Sequence, residues 1–313
     1  MRSLGNTVEA YGSTMCQIAD GREEVVFVTA DVIKAYSVKS FIDKHPERVF
    51  NMGVAEQVTV GIAAGLALSG KIPIVHVYTP FLAMRSLEQV RSDICYPNLN
   101  VKFIGIVSGI IMGIGGSTHQ SVEDLAIFRA IPNMVVMVPC DAMETAKATA
   151  ACMEHVGPTF IRLGRYPVPN VYTEDYEFRI GKSVLLRDGR DVSIIAAGHM
   201  VAPALDVAEA LAQKRISARV INMHTIKPLD RAAIVKAARE TGAIVTAEEH
   251  NVLAGLGGAV AEVVVQECPV PMRLVGIQDT FCGVGPTDEL FEKFGLTARN
   301  IRDCAEELVA AKG

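Results

Sequence analysis

The pattern that most restricts how this chain can fold is its regular exchange of short, wholly apolar runs for helical ones. "EVVFVTAD" (24–31), "KIPIVHVYT" (71–79), "VKFIGIVSG" (101–109), "MVVMVP" (134–139) and "PTFIRLG" (158–164) are separated by helical patterns such as "VAEQVTVGIAAGLALSG", "LEQVRSDICY", "SVEDLAIFRAI" and "DAMETAKATAACME". A strand without a polar face is covered on both sides, and strands that alternate with helices pair in parallel. The expected fold is therefore α/β, each sheet mostly parallel and flanked by helices. A second series runs from "DVSIIAAG" (191–198) through "SARVINMH" and "AIVTAEEH" to "PMRLVGIQD" (271–279). Between the two lies "YPVPNVYTEDYEFRI" (166–180), rich in proline and tyrosine and without helical period, the composition of an inter-domain linker. The chain divides on this reading into residues 1–165, a linker over 166–185, and residues 186–313. Its length also favours two domains over one.

Half of the residues are hydrophobic and 21% are charged, which supplies ample core and argues against disorder. The net charge is -5 and Lys and Arg are scattered, so no basic stripe follows a phosphate backbone and nucleic acid is not an expected partner. The seven cysteines form no C-x-x-C pair and no Cys/His spacing suited to zinc; reduced core thiols are expected, and no metal site of the chain's own. No uninterrupted apolar run approaches the roughly 18 to 20 residues of a membrane span. The N-terminus "MRSLGNTVEAYG" lacks the apolar core of a signal peptide, so a cytoplasmic location is expected.

Open parallel sheets bind ligands at the carboxyl ends of their strands. Four stretches qualify in the first half: Asp31, Thr79 to Phe81, the loop "SGIIMGIGGSTHQ" (108–120), and Arg162 to Arg165. Glu56 adds a fifth point of interest, because it heads a run that is otherwise small and apolar. Glutamate is favoured in the first turn of a helix, where unpaired N–H groups attract negative charge. Yet a charge beside close packing costs free energy unless it is paired, neutralised or used. His119 sets an imidazole beside a glycine-rich backbone, although a lone histidine is often structural. The glycine runs "GIGGST" (113–118) and "GLGGAV" (255–260) lack the full dinucleotide pattern and its position, and no G-x-x-x-x-G-K-[ST] loop occurs.

Taken together, "TAD" (29–31), "NMGVAEQ" (51–57), "YTPFLAMRSLEQVRSDI" (78–94), "GGSTHQSVEDLAIFRAIPNM" (115–134) and "TFIRLGR" (159–165) resemble the pyrimidine-binding domain of transketolases. "MHTIKPLD" (223–230), "AEEHNVLAGLGGAV" (247–260) and "GVGPTDEL" (283–290) resemble the C-terminal domain of the same family. The resemblance implies thiamine diphosphate and Mg²⁺ as cofactors. Family members hold the diphosphate and metal in a separate domain whose motif begins G-D-G, and this sequence contains no G-D-G. The chain thus resembles the C-terminal subunit of a split transketolase. That implies a partner chain carrying the diphosphate-binding domain, an α2β2 assembly, and two-carbon ketol transfer from a ketose to an aldose.

The resemblance also implies roles residue by residue. Glu56 hydrogen-bonds N1′ of the aminopyrimidine and favours its imino tautomer, which requires a carboxylate dry enough to bond strongly and able to share a proton. Phe81 stacks a flat apolar face on that ring, Met84 stands where many relatives carry a second aromatic and offers a thioether instead, and Asp31 supports the cofactor across the boundary between the two chains. His119 bonds substrate oxygens, and Arg165 forks onto the anionic end of a sugar. The departures bear on substrate. Gly115, Val107 and Val8 stand where many transketolases carry an acidic residue, a histidine and an arginine, so two expected phosphate contacts are missing. A deoxyxylulose-phosphate-synthase-like or 2-oxo acid dehydrogenase E1 β-like subunit is the alternative enzyme, and a non-catalytic assembly subunit the alternative of another class.

Overall fold

The computed structural model describes residues 2–312 apart from Glu174, which falls in the expected linker. The strands are β1 (Leu4–Gly5), β2 (Val25–Thr29), β3 (Val49–Asn51), β4 (Ile72–Tyr78), β5 (Lys102–Ile106), β6 (Val135–Met137), β7 (Thr159–Arg162), β8 (Val168–Pro169), β9 (Val184–Arg187), β10 (Val192–Ala196), β11 (Ala218–Asn222), β12 (Thr225–Lys227), β13 (Ile244–Asn251) and β14 (Met272–Ile277). One sheet runs in the order β12-β6-β7-β5-β4-β2-β3, the other β14-β13-β10-β11-β9, and β1 pairs with β8 alone. All pairings in the two large sheets are parallel except those of the edge strands β12 and β9. Strands β2, β5, β6, β7, β10 and β11 are buried at every residue, as runs without a polar face require.

The two sheets do not belong to separate cores. Strand β12, which follows β11 of the second sheet in the chain, crosses to the first and pairs antiparallel with β6. Val138 N–H donates to the His224 carbonyl at 2.8 Å, extending that seam. One apolar cluster accordingly contains Val136 and Val138 together with Ile195, Ile221, Met223 and Ile226. The segment after β7 is strapped to the first unit: Asp141 caps the helix Ala142–Glu154 through Glu144 N–H and also accepts from the N–H groups of Val171 and Tyr172. All seven cysteines are free. Among the described residues no helix is long and apolar enough to cross a membrane.

Two local features prepare the site. After β4 the chain enters π-helical turns at Phe81–Arg85 and Val90–Cys95, with Ser86 N–H reaching back five residues to the Phe81 carbonyl. Such wide turns recur at functional sites because they re-aim side chains within a helix. Asp31 and Val107, just past the ends of β2 and β5, have φ of 62° and 61°. For a buried β-branched residue such as Val107 that conformation is costly, and strained backbone concentrates at functional sites.

Candidate active site

Glu56 is the first residue of the helix Glu56–Leu68, which starts a few residues past β3, and it is 2% exposed. Its Oε2 accepts from Arg85 Nη1 at 2.8 Å, while Arg85 itself remains 47% exposed at the side chain. The Arg85 guanidinium carbon lies 4.4 Å from the centroid of the Phe81 ring. Phe81 in turn meets the His119 ring edge-on, with centroids 5.2 Å apart. Helix, π-turn and glycine-rich loop thus converge beyond the carboxyl ends of β3, β4 and β5, where ligands of such sheets bind. A carboxylate, an aromatic face and an imidazole meet there, and Arg85 joins the first two.

The remaining residues singled out in the sequence occupy the same end of the sheet. Asp31 is exposed and forms a reciprocal pair with Asn51: its N–H donates to Asn51 Oδ1 at 3.0 Å, and Asn51 Nδ2 donates to Asp31 Oδ1 at 3.1 Å. That pair ties the "TAD" turn to the segment leading into Glu56, and among the described residues Asp31 caps no helix. Met84 is exposed beside Arg85. Arg165 is exposed, without an acidic partner among the described residues. It follows Gly164, whose carbonyl accepts from Thr7 Oγ1 at 3.1 Å. Val8, next to Thr7, and Val107 are both buried in one apolar cluster, so neither position presents charge to solvent.

The loop carrying His119 is held from the other domain, which sequence reasoning did not anticipate. Glu249, on β13, accepts from Ile110 N–H at 2.9 Å through Oε1 and meets His199 Nδ1 at 3.0 Å through Oε2. A Cβ on Gly109, whose φ is 66°, would lie 2.1 Å from that Oε1, so only glycine admits the contact. Gln120 Nε2 donates to the Gly283 carbonyl, Gly283 N–H to Ser117 Oγ, and Thr287 Oγ1 to the Ile111 carbonyl. Arg162, at the end of β7, forks onto Asp124 at 2.7 and 3.3 Å and donates to the carbonyls of Ser121 and Glu249. Burial alone would lower its pKa, but Asp124, Glu249 and Glu248 outweigh that and hold it raised.

The "AEEHNVLAGLGGAV" run resolves into an anchor. Glu248 accepts from the N–H groups of Leu256 and Gly257 at 2.6 and 2.8 Å, at the start of the helix Leu256–Glu267. A side chain at Gly255 would collide with that carboxylate, which accounts for a glycine there without a phosphate ligand. Burial raises the Glu248 pKa, countered by His250 and the two N–H donors.

Two α/β units with a buried carboxylate and an aromatic ring, bridged by Arg85 beyond the carboxyl ends of a parallel sheet, place polar and flat apolar groups where proteins of this fold class bind small ligands. Comparison narrows the class. Residues 5–170 match the family described as transketolase, pyrimidine binding domain, and residues 181–301 match transketolase, C-terminal domain. The chain is 45% identical to the 6-deoxy-6-sulfo-D-fructose transketolase subunit SqwH of Clostridium sp. (strain MSTE9), over 97% of this chain and 94% of that one. It is 41% identical to one of the subunits of the apulose-4-phosphate transketolase of Phocaeicola vulgatus, over 96% of each. A solved structure described as a split gene transketolase, inactive beta4 tetramer, superposes with a TM-score of 0.90 at 42% identity, covering 99% of this chain and 100% of that one. The chain belongs to the transketolase family, as the C-terminal subunit of an enzyme divided over two chains.

Proposed function

We propose that this chain supplies the aminopyrimidine half of a thiamine diphosphate site and that, joined to an N-terminal partner subunit, it transfers a two-carbon ketol unit from a ketose to an aldose. The observation that carries this reading is the buried Glu56 carboxylate, whose one side-chain partner among the described residues is a planar cation lying against the Phe81 ring. A flat heterocycle that presents a ring N–H at its edge, as a protonated or imino aminopyrimidine does, can pair with the carboxylate and lie on the Phe81 face as that guanidinium does, so the residues present fit the cofactor's ring. When bound, thiamine diphosphate supplies the carbon that attacks the ketose carbonyl. Glu56 accepts a hydrogen bond at the ring nitrogen and shares its proton there, in a place water does not reach. Phe81 fixes the plane of the ring, with Met84 at its margin, and Asp31 supports the cofactor from the boundary between the two chains. His119, held against Phe81 by a loop tied to the second domain, bonds the hydroxyl and carbonyl oxygens of the substrate.

The diphosphate and Mg²⁺ fall to the partner chain, since this sequence lacks G-D-G. The helix headed by Glu56 presents Val58, Ile62 and Leu68 to solvent, and a Cβ on Gly61 or Gly65 would meet nothing within 4 Å. An exposed apolar stripe of this kind adjoining a site supports an interface with the partner. An α2β2 assembly in the cytoplasm belongs to the same reading. The named substrates of the relatives, a sulfonated ketose and a phosphorylated one, support an anionic tail on the sugar, which Arg165 would receive.

Titration of thiamine diphosphate in the calorimeter tests the division of labour. Binding is expected to be weak on this chain alone and tight, with Mg²⁺, once the partner is present. Tight Mg²⁺-dependent binding to the isolated chain would overturn it.

A further inference from the structure

Arg85 touches both groups that define the aminopyrimidine site. Its Nη1 donates to Glu56 Oε2 at 2.8 Å while the guanidinium lies over Phe81, 4.4 Å from the ring centroid. A guanidinium is flat, cationic and edged with N–H donors. It therefore satisfies a buried carboxylate and an aromatic face at once, as a protonated aminopyrimidine would. The two demands cannot be met by two ligands together, because the Glu56 oxygen and the Phe81 face lie on one small surface.

Resting on the assignment of Glu56 and Phe81 to the aminopyrimidine, we propose that Arg85 is a placeholder: it fills that position while the cofactor is absent and gives up both contacts when the cofactor enters. Its construction suits the task. Arg85 sits four residues beyond Phe81 on the π-turn, so its stem starts beside the ring that it covers. Its side chain is 47% exposed, leaving an open path to solvent, whereas Glu56 is buried and fixed to the first turn of its helix. An unpaired buried carboxylate would be costly in the free subunit. Arg85 removes that cost and bridges Glu56 and Phe81, so it acts as a positioning residue of the free subunit and a competitor of the cofactor.

The competition sets the sign of the test. Wild type, Arg85→Ala and Arg85→Gln are each assembled with the partner subunit and titrated with thiamine diphosphate at saturating Mg²⁺. Arg85→Ala is expected to tighten the apparent Kd by about tenfold, because removing a self-occupied state raises the binding-competent fraction. Arg85→Gln, which keeps a donor without the charge or the stacking plane, should fall between. On the full chain alone, Arg85→Ala should lower the melting temperature, and that drop should vanish in a Glu56→Gln background, as a pairwise cycle requires. A Kd unchanged or weakened by Arg85→Ala overturns the placeholder, as does a melting drop that persists with Glu56→Gln. Absence of binding in the wild-type complex overturns instead the assignment of the site itself, so the two failures are distinct.

Discussion

Glu56 and Glu249 are both buried glutamates, 2% and 4% exposed, at the carboxyl ends of their respective sheets, and the structure treats them in opposite ways. Glu249 is held by a backbone N–H and by His199, which packs against the backbone at Gly164. Its neighbour Glu248 is held by two backbone N–H groups. Backbone donors cannot leave, so these carboxylates are fixtures: Glu249 ties one domain to the other, and Glu248 anchors the start of the helix Leu256–Glu267. Glu56 has instead, among the described residues, one long, half-exposed side chain for a partner. On the reading proposed above, that removable partner is what lets Glu56 exchange Arg85 for the cofactor. Burial alone does not separate a structural glutamate from a reactive one; the nature of its donors does.

The widest gap between the two regions should open in turnover. Glu56→Gln is expected to lower kcat of the assembled enzyme by about 10²- to 10⁴-fold, the range of a lost proton-sharing group, while the melting curve of the chain stays cooperative and close to wild type. Glutamine keeps a hydrogen bond but cannot take part in proton sharing. If Glu56→Gln unfolded the chain and left the specific activity of the folded fraction intact, the carboxylate would be a fixture like Glu249.

The seam should answer in the reverse sense. Asp124→Ala strips Arg162 of the carboxylate it forks onto, the one it hydrogen-bonds among the described residues, in a buried position. Removing one member of such a pair costs about 3–5 kcal/mol because the other charge stays buried. Denaturant unfolding of the chain measures this, and replacing both residues together, as Asp124→Leu with Arg162→Met, should recover much of the loss. A loss below about 1 kcal/mol, the worth of an exposed pair, would show that the seam is not what holds the His119 loop.

How much of this was readable beforehand follows from the range of each interaction. The α/β plan is legible because each buried strand announces itself in a handful of consecutive apolar residues. Glu56, Phe81 and His119 are legible as a set through their motifs, and the structure brings their elements together. Arg85 is missed, although its position four residues after Phe81 in "FLAMR" is a usable signal for a side chain that folds back on the ring. The crossing of β12 is missed because three residues carry no period. The Glu249 seam is missed for another reason: its partner Ile110 lies 139 positions away, and nothing local marks a carboxylate that caps a distant loop.

A third measurement separates both glutamate regions from the deep core beneath them. His76 is fully buried on β4, stacked on Tyr36 with centroids 4.1 Å apart and bonded to Tyr11. Burial pulls its pKa down from 6.5 to about 3. The folded chain therefore leaves His76 neutral where the unfolded chain binds a proton, so stability is full above the unfolded pKa and falls as pH drops from about 6.5 toward 3. At pH 5 this one group should cost about 2 kcal/mol, from 1.4 kcal/mol per pH unit. Denaturant midpoints measured between pH 7 and pH 5 check it. A His76→Phe chain, which cannot titrate there, should show a flatter dependence; an equal slope would assign the acid sensitivity elsewhere.

The smallest expected effect concerns Arg165, proposed to meet the anionic end of the substrate, in a chain that departs from many transketolases at Val8, Val107 and Gly115. Val8 and Val107 lie in the core and Gly115 bears no charge, so Arg165 remains the cation expected near the tail of the sugar. One charge-assisted contact is worth about 1.5 to 3 kcal/mol, and exposure places Arg165 at the lower end of that range. Arg165→Ala should then reduce kcat/KM by about tenfold, equivalent to 1.4 kcal/mol, for substrates ending in phosphate or sulfonate. Glycolaldehyde, short and neutral, should be unaffected as acceptor. With few cations left, the wild-type enzyme should also handle xylulose 5-phosphate with ribose 5-phosphate poorly compared with a ketose or aldose of a different tail. Matched phosphorylated, sulfonated and neutral substrates on the two-subunit enzyme decide both points. Ordinary pentose-phosphate kinetics in the wild type would mean that the partner subunit restores the missing charge, and an equal loss on glycolaldehyde in Arg165→Ala would move Arg165 from reading the tail to shaping the site that Glu56 serves.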